Sequence, residues 1–375
     1  MIDIETELQN AGERWRAAQS ELHVDIDRAT TKPRRTRPLL AAAALVVVVV
    51  LLAIGLASRP GKRARVHVVT EPSTTTAPSP QPGRVIALDG KITQVQALAA
   101  SDGKLWVTGD APNGGPAHVQ EIDALTGAVL GDTTLPDNGP FAIAIGKGAV
   151  WVRAQQGEAS TALFKIDAAT HRVVATLDMQ KDGGLALTSD AVWVNDNVGL
   201  ERVDPDTVKV TNTIPLVSAG PYTSLLVTTG PNGVWTGNFY TGDVQKIDTT
   251  HNTAGPVHHI ANDTSTMVEL GTSLWVEKYP DQVIEVALDG RARRTIHLGE
   301  SVQGMATDGR ALWLATNGSH VLRVDAGSGA ITRFALPART ALAPTLTADP
   351  VRGTVWVAAL EPTAHLVSVP SGRSG

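Results

Sequence analysis

The sequence predicts an all-β fold, a single seven-bladed β-propeller spanning residues 84–375, and three observations support this prediction. A short apolar strand with a tryptophan near its middle occurs seven times, at Trp106, Trp151, Trp193, Trp235, Trp275, Trp313 and Trp356. Successive tryptophans are 38 to 45 residues apart, the length expected for one propeller blade. Each repeat also contains strand-length apolar runs separated by turn residues, which indicates a four-stranded blade.

A short helix is expected in the N-terminal tail, residues 1–38. Between Ile4 and Leu22 the apolar residues recur at alternating steps of four and three, which puts them on one helical face, and Asp3 can cap its start. This helix either docks or dimerises in the cytosol, or stays without a partner on the bilayer or in water, because short isolated helices are marginal.

Residues 39–57 are predicted to form a transmembrane helix. The stretch from Leu39 to Ala57 contains no charged or polar side chain, and at ~1.5 Å per residue it spans the ~30 Å hydrocarbon core. Basic residues flank both ends in nearly equal numbers, and Arg28 tips the balance toward a cytoplasmic N-terminus. We expect an uncleaved signal anchor in a bacterial cell membrane, with the propeller outside; a signal peptide cleaved after Gly55-Leu56-Ala57 is the alternative.

Residues 58–83 are predicted to form a stalk between the membrane and the propeller. The segment begins with basic residues and continues, from residue 71, as a run rich in Pro, Ser and Thr. Such a composition cannot bury apolar surface and favours a semi-rigid spacer.

A second recurring motif is a Val-Asp or Ile-Asp pair at the end of the third strand of a repeat. It occurs at Asp123, Asp167, Asp204, Asp248 and Asp325, and the fifth and seventh repeats depart from it. Each aspartate stands where a strand enters a turn, and there an Asp side chain commonly bonds the turn backbone. We therefore predict that these carboxylates shape turns rather than bind metal, and that the tryptophans pack between blades.

The two ends of the repeat region predict how the propeller closes. The last repeat has residues for three strands, and the segment from Arg84 to Leu88 precedes the first repeat as a surplus strand. We expect this segment to complete the seventh blade as its outermost strand, which would remove an exposed sheet edge.

Charge and motif content narrow the function classes. Residues 1–83 contain 11 Lys and Arg against 8 Asp and Glu, whereas residues 84–375 contain 21 against 29. An acidic domain lacks the basic surface that a phosphate backbone requires, so nucleic acid is not an expected partner. The chain has no cysteine, no phosphate-binding loop and no Gly-x-Ser-x-Gly, His-Glu-x-x-His or EF-hand motif. We therefore expect no cofactor, no bound metal and no assigned catalytic residue.

The repeats resemble those of the YVTN and virginiamycin B lyase-like group of seven-bladed bacterial propellers. The resemblance is clearest in Leu312-Trp313-Leu314, in the stretch from Val321 to Asp325, at Gly329, and from Thr332 to Pro337, and it extends over residues 84–375. The shared residues are packing and turn positions. The resemblance therefore implies the fold more strongly than it implies an activity.

A metal-dependent lyase or hydrolase is the alternative function that this resemblance implies. Lyases of the group use carboxylates, a histidine and a magnesium ion to open a cyclic depsipeptide by elimination, but their catalytic motif has no counterpart that we can place on this chain. Glu277 with Asp243 is the carboxylate pair best suited to hold such an ion. His258 and His259 are adjacent in sequence, so they cannot both point toward one site on a strand.

The leading hypothesis is a non-enzymatic sensing or scaffolding module that binds an extracytoplasmic ligand or protein. Function in propellers lies on loops at one end of the channel. We predict contacts in the loops that follow the tryptophan strands and in those that precede the inner strands, where all three tyrosines, rigid rings with a polar tip, are found. The predicted site residues are Arg153, Asn195, Asp196, Tyr222, Asn238, Tyr240, Glu277, Tyr279, Asn317 and His320.

Overall fold

The computed structural model describes the propeller region of the chain. The described residues are 83–136, 139–156, 160–180, 183–196, 199–217, 225–337, 345–349, 351–359 and 363–371. Within these ranges, no helix has the length and apolar character needed to cross a bilayer. The expected cytosolic helix in residues 4–22, the expected transmembrane helix over residues 39–57 and the stalk up to residue 82 lie outside the described residues.

The described residues form seven antiparallel sheets, which we call blades one to seven in chain order. Blade one consists of β2 (Gln94–Ser101), β3 (Lys104–Asp110), β4 (His118–Asp123) and β5 (Val129–Thr134). Blade two consists of β6 (Pro140–Gly146), β7 (Ala149–Gln156), β8 (Ser160–Asp167) and β9 (Arg172–Met179). Blade three consists of β10 (Leu185–Leu187), β11 (Val192–Asp196), β12 (Gly199–Asp204) and β13 (Lys209–Ile214).

The outer strand of blade four is interrupted. Blade four consists of β14 (Leu225–Gly230), β15 (Gly233–Asn238), β16 (Asp243–Asp248) and the two outer pieces β17 (Thr253–Ala254) and β18 (His258–His259). Blade five consists of β19 (Met267–Leu270), β20 (Ser273–Lys278), β21 (Gln282–Ala287) and β22 (Ala292–His297). Blade six consists of β23 (Val302–Thr307), β24 (Ala311–Thr316), β25 (His320–Asp325) and β26 (Ile331–Ala335). Blade seven consists of β27 (Leu346–Asp349), β28 (Thr354–Ala359), β29 (His365–Pro370) and, as its outermost strand, β1 (Val85–Ala87).

The seven blades form a closed ring. The inner strands β2, β6, β10, β14, β19, β23 and β27 contact one another in that order, and β27 returns to contact β2. Successive blades therefore surround a central channel lined by inner strands. The seven-bladed propeller predicted from the tryptophan spacing is confirmed.

The closure predicted for the N-terminal strand is also confirmed. β1 pairs antiparallel with β29, with Val85 opposite Val367 and Ile86 opposite Leu366. The backbone N–H of Ser368 donates to the carbonyl of Arg84 at 2.8 Å. Ile86 is 4% exposed and packs in the core shared by blades seven and one. The first and last described strands of the chain thus close the same blade.

Each tryptophan packs between neighbouring blades, as predicted. All seven are at most 2% exposed. Trp151 of blade two lies with Val192 and Val194 of blade three, and the other tryptophans have equivalent neighbours in the next blade. The cores between blades therefore follow directly from the repeated apolar strand.

Several tryptophans also carry a cation on one ring face. Lys165, Arg202 and Lys246 lie directly opposite a tryptophan in the sheet, and their charged ends are 5.5, 5.7 and 5.9 Å from the ring centroids. In blade five the opposite residue is Glu285, which pairs with Arg294, and that guanidinium lies 5.3 Å from the ring of Trp275. No role was predicted for these basic residues from the sequence, although they precede the Val-Asp or Ile-Asp pair in three repeats.

The third-strand aspartates shape turns, which confirms that prediction. In each of the five repeats one carboxylate oxygen accepts a hydrogen bond from a backbone N–H two or three residues further on. For Asp167, the hydroxyl of Thr170 at 2.7 Å and its backbone N–H at 2.8 Å hold the pKa of the carboxyl below its usual value. These carboxylates are committed to the turns, so they are poor candidates for ligands of a metal ion.

Candidate functional site

Two sets of loops lie at the same end of the propeller, which we call the loop face. In blade one the first residue of the inner strand, Gln94, pairs with the last residue of the second strand, Asp110. In blade four Leu225 pairs with Asn238 in the same way. The loops that enter the inner strands and the loops that follow the tryptophan strands therefore share this face, as the prediction of a combined binding surface requires.

A cavity of about 790 Å³ opens at the loop face, which we call the central cavity. Its walls come from the starts of the inner strands of blades one, six and seven and from loops of blades four and five, so it occupies the mouth of the central channel. Its volume is in the range of small-molecule sites. The described residues that line it are Gln96, Phe239, Asp263, Ser265, Thr266, Tyr279, Val302, Gly304, Met305, Thr345 and Leu346.

Aromatic residues form the rim of the central cavity on the side of blades four and five. Phe239 and Tyr279 line it, and Tyr240 packs edge-on against Phe239 with the ring centroids 5.0 Å apart. Tyr240 and Tyr279 are 57% and 58% exposed. The prediction that tyrosines face an open surface fits these two residues, while Tyr222 lies outside the described residues.

Backbone hydrogen bonds hold the loop between blades four and five, residues 260–266, against both blades. The N–H of Thr264 donates to the carbonyl of Phe239 at 3.0 Å, and the N–H of Tyr279 donates to the carbonyl of Asp263 at 3.3 Å. Asp263 itself has a φ of 59°, in the left-handed region that Asp and Asn tolerate better than most residues. This anchoring holds Asp263 at the cavity wall.

Glu277 lies buried behind the cavity wall, with 1% of the residue exposed. Its Oε2 accepts hydrogen bonds from the backbone N–H and the hydroxyl of Ser265, at 2.9 and 2.7 Å. Its Oε1 has no hydrogen-bond partner among the described residues. Burial raises the pKa of Glu277, and the neighbouring Asp263 carboxylate raises it further, while the Ser265 bonds oppose the shift.

Six predicted site residues belong to strands, which corrects their placement in loops. They are Arg153 in β7, Asn195 and Asp196 in β11, Asn238 in β15, Glu277 in β20 and His320 in β25. The reason is that the ladder with the third strand continues past the apolar run, pairing Arg153 with Leu163, for example. Arg153, Asn195 and Glu277 each follow a tryptophan by two residues, so strand alternation points them, like the tryptophan, between two blades.

Arg153 connects blade two to blade three inside the molecule. It is fully buried, donates to the carbonyl of Asn195 at 2.7 Å and to the hydroxyl of Thr161 at 2.8 Å, and lies 5.4 Å from the ring of Phe141. Asn195 is 1% exposed, and its side-chain amide has no partner among the described residues. A ligand contact by either side chain stays a prediction, because neither side chain reaches open surface.

The other predicted residues lie around the loop face without converging on the central cavity. Asn238 Oδ1 accepts from the backbone N–H of Tyr240 at 2.9 Å and so shapes the turn that carries this tyrosine. The Asp196 carboxylate accepts a hydrogen bond from the backbone N–H of Gln180. The side-chain amide of Asn317 donates to the hydroxyl of Ser301. The His320 ring nitrogen Nδ1 lies 3.5 Å from a carboxylate oxygen of Glu300. Their roles in binding stay predictions.

The carboxylate pair considered for a metal ion is divided between two environments. Asp243 contacts the Thr241 hydroxyl at 2.8 Å and His259 at 3.2 Å, whereas Glu277 is bonded to Ser265. His258 faces the other side of the strand, against Gly290 of blade five, as alternation predicted. Across the described residues, no three His, Asp or Glu side chains come together in a cluster that could hold a metal ion.

Comparison with known proteins supports the fold without assigning a family. No family model matches the chain, and no curated protein does either. Among solved structures, 1316 chains match. One is the β-propeller domain of Cps50 (Swd1) from Myceliophteria thermophila, with a TM-score of 0.63, 12% sequence identity, and coverage of 77% of this chain and 98% of that one. At this identity the likeness shows the fold alone, and the chain is a seven-bladed β-propeller.

Proposed function

We propose that this protein is a membrane-anchored binding module, in which an extracytoplasmic propeller captures a ligand or a peptide segment of a protein partner in the central cavity. The cavity itself is the observation that carries this proposal. It combines about 790 Å³ of volume with apolar side chains such as Met305 and Leu346 and with polar side chains that include Asp263, Ser265 and Thr266. Binding pockets generally have this composition.

The aromatic rim supports the same conclusion. Tyr240 and Tyr279 are exposed, yet the backbones beside them are fixed by the Asn238 turn and by the bond from Tyr279 to Asp263. Exposed aromatic rings on a fixed backbone lose little entropy on binding and are common anchors of recognition surfaces.

The anchoring part of the proposal rests on the sequence. The apolar stretch from Leu39 to Ala57 is long enough to cross a bilayer, and residues 58–83 separate it from the propeller. Kinship with the YVTN and virginiamycin B lyase-like group is a further hypothesis, supported by the repeat residues between Leu312 and Pro337.

A metal-dependent lyase receives less support from the geometry. Mg²⁺ takes oxygen ligands such as carboxylates, and one oxygen of Glu277 is already held by Ser265. Thermal unfolding of the full chain with Mg²⁺ and with EDTA tests this alternative, because an ion at about a hundred times its Kd would stabilise the fold by ~2.7 kcal/mol. We expect no difference; stabilisation that disappears in Glu277→Ala would favour the lyase.

A cavity-filling variant tests the binding function. Thr345→Trp places an indole in the central cavity, whereas Val210→Trp, on the exposed outer strand of blade three, adds the same group far from it. Full-length protein is immobilised and incubated with a cell-envelope extract, and retained molecules are identified by mass spectrometry. We expect at least one molecule retained by the wild type and by Val210→Trp to be lost from Thr345→Trp. Equal retention by all three proteins would refute the cavity as the binding site.

A further inference from the structure

We propose that the ligand of the central cavity is an organic cation, an ammonium group carried on an apolar body. This inference rests on the proposed function, because it assumes that the cavity is where binding occurs. Three features of the described residues support it: the charge of the cavity wall, a buried carboxyl group behind that wall, and the aromatic and apolar surfaces beside both.

The wall of the cavity is acidic. Among the described residues that line it, Asp263 is the one charged side chain, and no described lysine, arginine or histidine contributes to the lining. Asp263 is exposed, and its backbone carbonyl accepts a hydrogen bond from the N–H of Tyr279, which holds the residue in place. A carboxylate at the mouth of a pocket, with no lysine, arginine or histidine among the described lining residues, attracts cations and repels anions.

Glu277 strengthens this preference from behind the wall. It makes no ion pair among the described residues, and its described hydrogen-bond partner is Ser265, itself a lining residue. By contrast, Glu121 pairs with Lys104 and His171, and Glu285 pairs with Arg293 and Arg294.

A buried carboxylate without a nearby cation is costly, and burial accordingly raises the pKa of Glu277. A cation bound beside Ser265 would favour the ionised form of Glu277, and the negative charge of that carboxylate would in turn stabilise the bound cation.

The remaining lining favours an organic cation over a metal ion. Phe239 and Tyr279 line the cavity, and the face of an aromatic ring attracts an organic cation. Val302, Met305 and Leu346 provide an apolar floor. Divalent metal ions instead require several oxygen ligands around one point, and the described residues contain no such cluster.

Three small probes of nearly equal size separate the effect of charge from the effect of shape. Phenethylammonium, 2-phenylethanol and phenylacetate share one aromatic ring and differ in the charge of the end group. We measure their binding to the full chain in detergent micelles by isothermal titration calorimetry at pH 7 and low salt. We expect the ammonium compound to bind about tenfold more tightly than the alcohol, and the carboxylate to bind most weakly, as expected for charges separated by several ångströms near a protein surface.

Substitutions that remove one charge and keep the shape test the assignment of residues. Glu277→Gln and Asp263→Asn should each lower the affinity for phenethylammonium by about fivefold to tenfold and leave the affinity for 2-phenylethanol unchanged. Asn suits the left-handed backbone of position 263. Glu269→Gln is the matched control: Glu269 is a buried glutamate of the same blade, but it bonds Asn232 and is not part of the cavity wall, so we expect no effect.

The outcomes separate the inference from the proposed function. If the three probes bind with equal affinity and Thr345→Trp abolishes all binding, the cavity is a binding site but the preference for cations is wrong. If the ammonium compound binds and Thr345→Trp leaves its affinity unchanged, binding occurs elsewhere and both proposals fail. Tightest binding by phenylacetate, or no binding of phenethylammonium at millimolar concentration, would also overturn the inference.

Discussion

Ring closure by the N-terminal strand makes a quantitative prediction about a single side chain. In β1 the side chains alternate between core and solvent: Ile86 is 4% exposed, whereas Val85 is 51% exposed. Ile86→Ala removes three buried carbons, worth about 2.4 kcal/mol at about 0.8 kcal/mol each. The hole left in the core adds to this cost, so we expect a loss of about 3 kcal/mol in the free energy of unfolding, within the range observed for such substitutions.

Val85→Ala is the matched control, because it shortens an exposed β-branched residue on the same strand. We expect it to change stability by less than about 0.5 kcal/mol. Urea denaturation of the full chain, followed by tryptophan fluorescence, gives both free energies, since the seven propeller tryptophans lie between blades. Equal and small effects of the two substitutions would show that β1 does not contribute to the core, and the closed ring would then be wrong.

Three further predictions concern the loop face and the membrane. Replacing both Tyr240 and Tyr279 with alanine should abolish capture of the envelope molecule that the wild type retains. The melting temperature should stay nearly unchanged, because both residues are more than half exposed. If the double variant still captures the molecule, the binding site lies elsewhere. Because the pKa of Glu277 is raised in the folded state, its contribution to stability is complete below the ordinary glutamate pKa and is lost as pH rises through the folded value. The free energy of unfolding of the wild type, relative to that of Glu277→Gln, should therefore fall as pH increases above that ordinary value. If urea denaturation gives the same difference at every pH, burial does not raise the pKa of Glu277. On intact protoplasts, external protease should cleave the propeller and spare the N-terminal 38 residues, and the reverse pattern would invert the proposed topology.

The fold could be predicted from the sequence because its signals are local and repeated. A tryptophan in an apolar strand recurs at every blade, and an aspartate at the turn of the third strand recurs at most of them. Each signal acts within a few residues: Asp167, for example, bonds the backbone and hydroxyl of Thr170. The closing strand was predictable for a different reason, since a surplus strand at one end matches a missing strand at the other.

The candidate site was predicted less completely, because it depends on where distant segments meet. Tyr279 was identified from its place in a loop, and it does line the cavity. Gln96, Met305 and Thr345 were not identified, since they lie in or next to inner strands of three different blades and carry no local signal of function. Asp263 stood in an inter-blade loop of the kind considered, but a polar loop residue has no distinguishing feature until its neighbours are known.

The boundary between strand and loop caused the other differences. Arg153, Asn195 and Glu277 follow the apolar run, so the sequence alone predicts a loop at each position. The strands in fact continue, because pairing with the third strand extends through these positions. Their side chains consequently lie between blades, where a polar residue affects the site through packing and charge rather than by direct contact.

A structure of the full chain with phenethylammonium would show directly whether the central cavity binds an organic cation. We expect electron density for the compound in the central cavity, with its ring against Phe239 or Tyr279 and its ammonium group within hydrogen-bond reach of Asp263. Density for the compound at another surface, such as the groove beside Trp235 and His258 between blades four and five, with an empty central cavity, would show that the central cavity is not the binding site.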